Sequence, residues 1–249
     1  MTALTTWAAG SSTGLVRQLN EDSAYAGHWL YAVADGMGGH VAGEIASAAV
    51  IAALRAYDAE ADPALLVEIL GSAVTAANTA IRRRTESDPA LRTMGTTLTA
   101  MLWSGHTFAL AHIGDSRAYQ LRGGRLRQLT EDHALHNLVA GAGTSPVLAP
   151  IMSRFLDGRP DRSPDLGLRE AFPGDRYLLC SDGLSAVVPD ETMRGVLESV
   201  DDLTRIIERL TGLANSAGSP DNITAIVIDA PGSSAPGNAA PPVTLGAAR

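Results

Sequence analysis

Residues 96–129 read TTLTAMLWSGHTFALAHIGDSRAYQLRGGRLRQL, and this stretch decides the fold class. Thr96 to Trp103 and Thr107 to Ile113 are runs of strand-favouring residues, with Ser104-Gly105 turning between them. Arg117 to Leu121 and Arg125 to Leu129 alternate around Gly123-Gly124, a hairpin signal. Outward from this block, Leu4 to Ala9, Trp29 to Ala34, Arg176 to Cys180 and Ile223 to Ile228 also read as strands. Helical patterns cover Ala42 to Tyr57 and Pro63 to Arg84, the latter with Asp62 as N-cap and Pro63 at the first helical position. A second pair follows at Pro189 to Glu198 and Asp201 to Ala214. Strands in sequential runs and helices in two pairs, without strand-helix alternation, predict an α+β layered protein with mostly antiparallel sheets.

The chain has 249 residues, 45% of them hydrophobic, which suits a folded domain and excludes wholesale disorder. Its formal net charge is −8, and the only basic run is Arg82-Arg83-Arg84, so nucleic acid is not the expected partner. All 19 basic residues are arginines. Without lysine there is no Walker A loop, no protein-kinase ATP lysine, no Schiff base and no pyridoxal anchor. The single cysteine, Cys180, excludes an internal disulfide and a cysteine-cluster zinc site, and its place among Leu178 and Leu179 reads as buried and apolar.

Met1 to Gly10 has no signal-peptide pattern, and the apolar stretch Ala42 to Leu54 is too short and too polar to span a bilayer. The expectation is a cytoplasmic monomer without a membrane span. The globular domain is expected over residues 1–230, with the Pro/Gly/Ala-rich residues 231–249 as a disordered tail. Asp132 to Asp165, rich in Gly and Pro, reads as a long irregular lid or mobile loop.

Four aspartates share one setting. Asp35, Asp115 and Asp182 each end an apolar run, and Asp221 precedes one. Singly, each is a turn residue or a cap. As a set at converging strand ends they would repel, unless hard cations such as Mg²⁺ or Mn²⁺ sat between them. In an extended segment Arg17, Leu19 and Glu21 share one face and Asn20 and Asp22 the other, so that Arg17 and Glu21 would point into one site; the plainer alternative is a polar loop with a local ion pair. Gly36-Met37-Gly38-Gly39-His40 follows a strand and opens a helix, but Val41 stands where a dinucleotide fingerprint needs glycine. Gly114-Asp115-Ser116-Arg117-Ala118 is a near miss to a nucleophile elbow. It leaves a serine hydrolase using Ser116, with His112, His133 or His136 as base, as a rival reading. Asn222-Ile223-Thr224 matches a glycosylation sequon that a chain without a signal peptide would not use.

Six segments taken in order resemble the metal-dependent Ser/Thr protein phosphatases of the protein phosphatase 2C (PPM) type, particularly the bacterial branch. They are Arg17-Gln18-Leu19-Asn20-Glu21-Asp22, Ala34-Asp35-Gly36-Met37-Gly38-Gly39-His40, Gly95-Thr96-Thr97, Gly114-Asp115-Ser116-Arg117, Cys180-Ser181-Asp182-Gly183-Leu184 and Pro220-Asp221-Asn222-Ile223-Thr224. The resemblance implies a four-layer α-β-β-α sandwich of two mostly antiparallel sheets flanked by helix pairs. It also implies hydrolysis of phosphoserine and phosphothreonine in proteins by a hydroxide bridging two Mn²⁺ or Mg²⁺ ions. Asp35 would bridge the two metals, the Gly36 carbonyl would bind the second, and Asp182 and Asp221 would complete the first. Glu21 would hold the second metal through water, with Asp22 supporting it. Asp115, with Asp182, would bind a third metal, and Arg17 would bind the substrate phosphate.

Phosphorylated proteins, among them a Ser/Thr kinase, would be the partners. Two departures from the family pattern stand out. Met37 replaces the histidine that animal members carry as a proposed general acid, leaving His40 or water for that role. Pro150 stands in the flap, about where bacterial relatives place a third-metal contact. A non-catalytic phosphoprotein-binding regulator of the same fold is the remaining alternative.

Overall fold

The computed structural model describes residues 5–38, 41–134, 152–199, 202–232 and 241–249. In chain order the strands and helices are β1 (Thr6–Ser12), β2 (Asp22–Ala26), β3 (Leu30–Met37), α1 (Val41–Leu54), α2 (Leu66–Ser87), β4 (Gly95–Thr96), β5 (Leu98–Ser104), β6 (Thr107–Ile113), β7 (Arg117–Arg122), β8 (Arg125–Gln128), β9 (Asp165–Glu170), β10 (Arg176–Cys180), α3 (Asp182–Ser185), α4 (Asp190–Ser199), α5 (Leu203–Ser216), β11 (Ile223–Asp229) and β12 (Val243–Gly246). One sheet has the order β1-β11-β10-β7-β8 and the other β12-β2-β3-β5-β6-β9, with β4 paired to β3. Every pairing is antiparallel.

The period-2 geometry of a strand explains the layers. Tyr31 and Val33 of β3, Met101 and Trp103 of β5, Phe108 and Leu110 of β6, and Tyr177 and Leu179 of β10 point between the sheets. Trp103 stacks on Phe108 at 4.6 Å and meets Tyr177 edge-on at 5.3 Å, so the bulky rings set the spacing of the sandwich. The alternate residues Ala32, Ala34, Ala100, Ala109 and Ala111 are small and face α1 and α2. On the other side Leu178, Cys180, Ala225 and Val227 face α4 and α5. The result is the expected α-β-β-α order of layers.

Helix α2 buries Leu66, Leu70, Ala73, Val74, Ala77, Asn78 and Ile81, a single stripe at helical spacing. By length and composition, residues Pro63–Ser87 are also apolar enough to cross a membrane. The one-sided stripe, packed on the sheet, is that of a core helix. As expected, Asp62 caps the 3₁₀ turn Pro63–Leu65 that leads into α2, its carboxylate accepting the Ala64 N–H at 2.9 Å.

The structure departs from the sequence expectations in three places. Residues 231–249 are not all disordered tail, because β12 pairs with β2 over Val243–Gly246. An edge of β2 offers unpaired backbone groups, and Val243 and Leu245 pack into the core between the sheets, which offsets the ordering entropy of a short strand. Second, the part of the expected mobile loop that is described is pinned to the body of the domain. Leu156 is fully buried and pairs with Thr96, and the buried Asn78 side chain accepts the Gly158 N–H at 2.8 Å and donates to the Arg159 carbonyl at 2.7 Å. Residues 135–151, including Pro150, lie outside the described residues. Third, β2, β9 and α3 are elements without a counterpart among the expected ones.

Candidate active site

The registers bring one end of every central strand to a common edge. In one sheet Ser12 faces Ile223, Cys180 faces Ala225, and Arg117 faces Cys180. In the other, Asp22 faces Asp35 and Leu98 faces Ile113. Two short connections cross between the sheets at this edge. Residues 13–21 join β1 to β2 and carry Arg17 and Glu21. Residues 114–116 join β6 to β7 and carry Asp115. Asp182 follows β10 and Asp221 precedes β11 at the same edge. Residues as far apart in sequence as Ser181 and Asp22 (159 positions) or Arg17 and Asp221 (204 positions) thus meet because strand ends, not neighbours in the chain, share a location.

Arg17 is not on an extended face with Leu19 and Glu21, as the sequence suggested, since residues 13–21 form a turn-rich loop. The loop still points Arg17 at the carboxylates. Its Nη2 donates to Asp221 Oδ2 at 2.7 Å and its Nη1 to Glu21 Oε2 at 3.4 Å, while the side chain stays 44% exposed. The hydrogen bond to Asp221 strengthens the guanidinium's hold on its proton.

Asp22 is buried behind this surface. It accepts the Ser181 hydroxyl at 2.7 Å, so a side chain of one sheet bridges to a carboxylate of the other. Asp35 is fixed through its backbone: its N–H donates to the Thr97 hydroxyl at 3.0 Å, and its carbonyl accepts the Thr97 N–H at 2.9 Å and the Thr96 hydroxyl at 2.8 Å. Gly36 has no room for a side chain. A Cβ there would stand 2.1 Å from the Gly43 carbonyl oxygen of α1 and 2.6 Å from that of Glu21. Glycine at this point lets α1 close down on the end of β3.

Burial raises the carboxyl pKa of Asp35 well above the ordinary range, and the charges of Asp22, Asp182, Asp115 and Asp221 raise it further. Burial raises Asp22 and, reinforced by Asp221, raises Asp182. Asp115 is pushed up to about 6, by burial first and then by Asp182. Mutual repulsion of this kind marks a set of carboxylates whose charge calls for a cation.

The donor set fits a hard divalent ion. It is all oxygen, and Asp115 Oδ1 and Asp182 Oδ1 are buried with no hydrogen-bond partner among the described residues. Among the described residues no three of these side chains already close on one point. They are separate carboxylates near enough to raise one another's pKa. His40 lies outside the described residues, so its place relative to the site is not described.

Three side chains shape the site without having been singled out from the sequence. Asn222 is buried, and its amide donates to the carbonyls of Thr13 at 3.0 Å and Leu19 at 2.9 Å while accepting the Glu21 N–H at 2.8 Å. It therefore holds both ends of the Arg17 loop. Thr97 links Asp35 to Ser116, hydroxyl to hydroxyl at 2.7 Å, and Ser181 bridges to Asp22. All three lie inside quoted motifs, but nothing local in those motifs reveals contacts spanning the fold. For Asn222 the sequon match pointed elsewhere.

The serine-hydrolase reading fails on geometry. Ser116 is fully buried and its hydroxyl pairs with Thr97. The His112 ring nitrogens are engaged by Thr99 and the Glu131 carbonyl, and those of His133 by Gly114, Asp165 and Arg154. His136 lies outside the described residues. Cys180 is buried and its thiol is pushed up to about 12, an inert core residue.

Comparison with known proteins accords with this geometry. The sequence profile of the family described as protein phosphatase 2C matches residues 10–225. The serine/threonine protein phosphatase PstP of Mycobacterium tuberculosis is 47% identical over 236 residues, 92% of this chain and 46% of that protein. The chain thus spans about half the length of the PstP proteins it matches. The serine/threonine phosphatase stp of Listeria monocytogenes is 34% identical over 232 residues, covering 87% of this chain and 92% of that protein. Among solved structures, the catalytic domain of PstP in complex with two manganese ions superposes with a TM-score of 0.85 at 48% identity, over 92% of this chain and 99% of that one. With the fold, the ordered motifs and the profile in agreement, the chain belongs to the protein phosphatase 2C family.

Proposed function

We propose that the chain hydrolyses phosphoserine and phosphothreonine in proteins, using divalent Mn²⁺ or Mg²⁺. The observation that carries this reading is the gathering of Asp22, Asp35, Asp115, Asp182 and Asp221 at one edge of the sandwich, with Arg17 as the cation paired to them. Asp35, the Gly36 carbonyl, Asp182, Asp221 and Glu21 would hold two ions, with Asp115 and Asp182 available to a third. The relative solved with two manganese ions supports that count. When bound, such ions neutralise phosphate charge and lower the pKa of water.

The chain's own groups account for the rest. The planar fork of Arg17 suits two phosphate oxygens and neutralises charge that builds on them as phosphorus is attacked. Asn222 orients that fork by fixing the loop on both sides of it. Asp22, buried and hydrogen-bonded to Ser181, supports the adjacent Glu21 at the start of β2 rather than meeting substrate. A water oxygen forms a bond to phosphorus as the bond to the Ser or Thr oxygen breaks, and that oxygen takes up a proton from His40 or from water. No nucleophilic side chain is needed. The substrates are phosphorylated proteins, a Ser/Thr kinase among them, met by a monomer in the cytoplasm, where kinases find their ATP. Bacterial relatives named as Ser/Thr phosphatases support this assignment.

The test is hydrolysis of p-nitrophenyl phosphate and of a phosphothreonine peptide with Mn²⁺, with and without EDTA, by wild type and Asp35→Asn. Turnover is expected to need the metal and to fall on the order of 100-fold or more in Asp35→Asn. Absence of metal-dependent turnover in the wild type would refute the proposal.

A further inference from the structure

Of the seven large hydrophobic side chains exposed among the described residues, three fall within residues 15–19: Leu15 is 75% exposed, Val16 64% and Leu19 48%. Scattered apolar side chains are ordinary on a protein surface. Three in five positions, surrounding Arg17, whose guanidinium pairs with Glu21 and Asp221, are not scatter. Nor does a slack loop explain them. Asn222 holds the carbonyls of Thr13 and Leu19, the Ser12 hydroxyl accepts the Gly14 N–H at 3.1 Å, and Gly14 at φ 75° presses so close that a Cβ would stand 2.5 Å from the Asp221 carbonyl oxygen. The loop keeps these side chains in water while its backbone is tied down, the arrangement of a preorganised contact surface.

We propose that Leu15, Val16 and Leu19 form an apolar rim that reads the residues flanking the phosphorylated Ser or Thr, so that segments with apolar side chains beside the phosphoresidue are preferred. The inference rests on the phosphatase reading above, which puts the phosphate on Arg17. The length scales agree. Successive Cα atoms are about 3.8 Å apart, so the rim lies within about 8 Å of Arg17 along the chain. An extended substrate carries its first and second neighbours about 3 and 7 Å from the phosphoresidue. An apolar neighbour of the phosphoresidue would shed water against the rim, which a polar one would not.

The test uses two phosphothreonine peptides that differ only in the positions flanking the phosphothreonine, Leu and Val in one and Gln and Ser in the other. The full chain with Mn²⁺ is compared with a Leu15→Ser/Val16→Ser/Leu19→Ser variant, whose melting temperature is checked against wild type, and with Leu15→Ser alone. p-Nitrophenyl phosphate, too small to reach the rim, is the common control. Wild type should show a KM about tenfold lower for the apolar peptide. The triple variant should lose that preference and the single variant part of it, with kcat on the small substrate unchanged. If wild type turns over the small substrate and treats both peptides alike, the rim inference fails and the phosphatase reading stands. If the preference survives in the triple variant, the inference also fails. If nothing is turned over, the phosphatase reading fails and the inference with it. A wild-type dimer that the serine variant abolishes, with peptide KM unchanged, would assign the rim to a second copy and overturn the proposal.

Discussion

Asn222→Ala is the sharpest test of how the site is held. The wild-type amide makes three hydrogen bonds, to the Thr13 carbonyl, the Leu19 carbonyl and the Glu21 N–H, all between 2.8 and 3.0 Å. Alanine removes all three and leaves their backbone partners to find water or remain unsatisfied. At about 1 kcal/mol net for each, the loss is about 3 kcal/mol, and more if the buried partners stay dry. For a domain of this size each kcal/mol lowers the melting temperature by about 2–4 °C, so a fall of roughly 6–12 °C is expected by circular dichroism. Activity should fall through KM more than through the fold, because Arg17 and Glu21 lose the restraint on both sides of their loop. A rise of about tenfold or more in KM for a phosphothreonine peptide is expected at temperatures where the variant is fully folded. If Asn222→Ala melts within about 2 °C of wild type and keeps its KM, Asn222 does not hold the loop.

Other substitutions probe other joints. Gly36→Ala drives a methyl group to 2.1 Å from the Gly43 carbonyl oxygen, so α1 must lift; a melting temperature lower by several degrees and loss of metal-dependent turnover are expected, and unchanged values would show that α1 yields freely. Arg17→Lys keeps the charge but not the planar fork, and KM for phosphopeptide should rise about tenfold or more, measured by steady-state kinetics; equal KM values would remove Arg17 from phosphate binding. His112 is buried beside His133, and its pKa is lowered from 6.5 to about 4. The unfolded chain therefore takes up a proton near pH 6.5 that the folded one refuses until about pH 4, so this stabilisation is complete above 6.5 and lost as pH falls to 4. At about 1.4 kcal/mol per pH unit, the melting curve of His112→Gln should be flatter than wild type across that window; parallel curves would contradict the burial argument.

Much of the fold was legible because its central strands are apolar on both faces. β3, β5, β6, β10 and β11 announce themselves as runs, and β7 as one arm of a hairpin alternating around Gly123-Gly124. β2 does not, since Asp22 and Ser23 are buried in it and satisfied by Ser181 and Ser47, contacts that only the folded chain supplies. β9 leaves Leu166 and Leu168 exposed at an edge, and β12 is four residues within a Pro/Gly/Ala-rich stretch whose average composition masks them. In the site, the aspartates were legible because each stands at the end of an apolar run. The bonds that aim them were not. Asn222 acts on residues more than 200 positions away, and Ser181 acts 159 positions away.

The pairing of β12 with β2 also gives the domain a polarity. Gly246 lies opposite Ser23, and the Ala247 N–H donates to the Asp22 carbonyl at 2.8 Å, so Arg249 leaves the sandwich beside the strand that carries Asp22. Thr6 lies opposite Asp229, at the far end of the same layers from Ser12. Anything joined after Arg249 begins next to the carboxylate edge, within reach of an incoming phosphoprotein, whereas anything joined before Thr6 begins a sandwich's length away. Anchored through its first residues on a bead or a sensor chip, the domain would turn its carboxylates outward to the solution; anchored through its last, it would turn them toward the support.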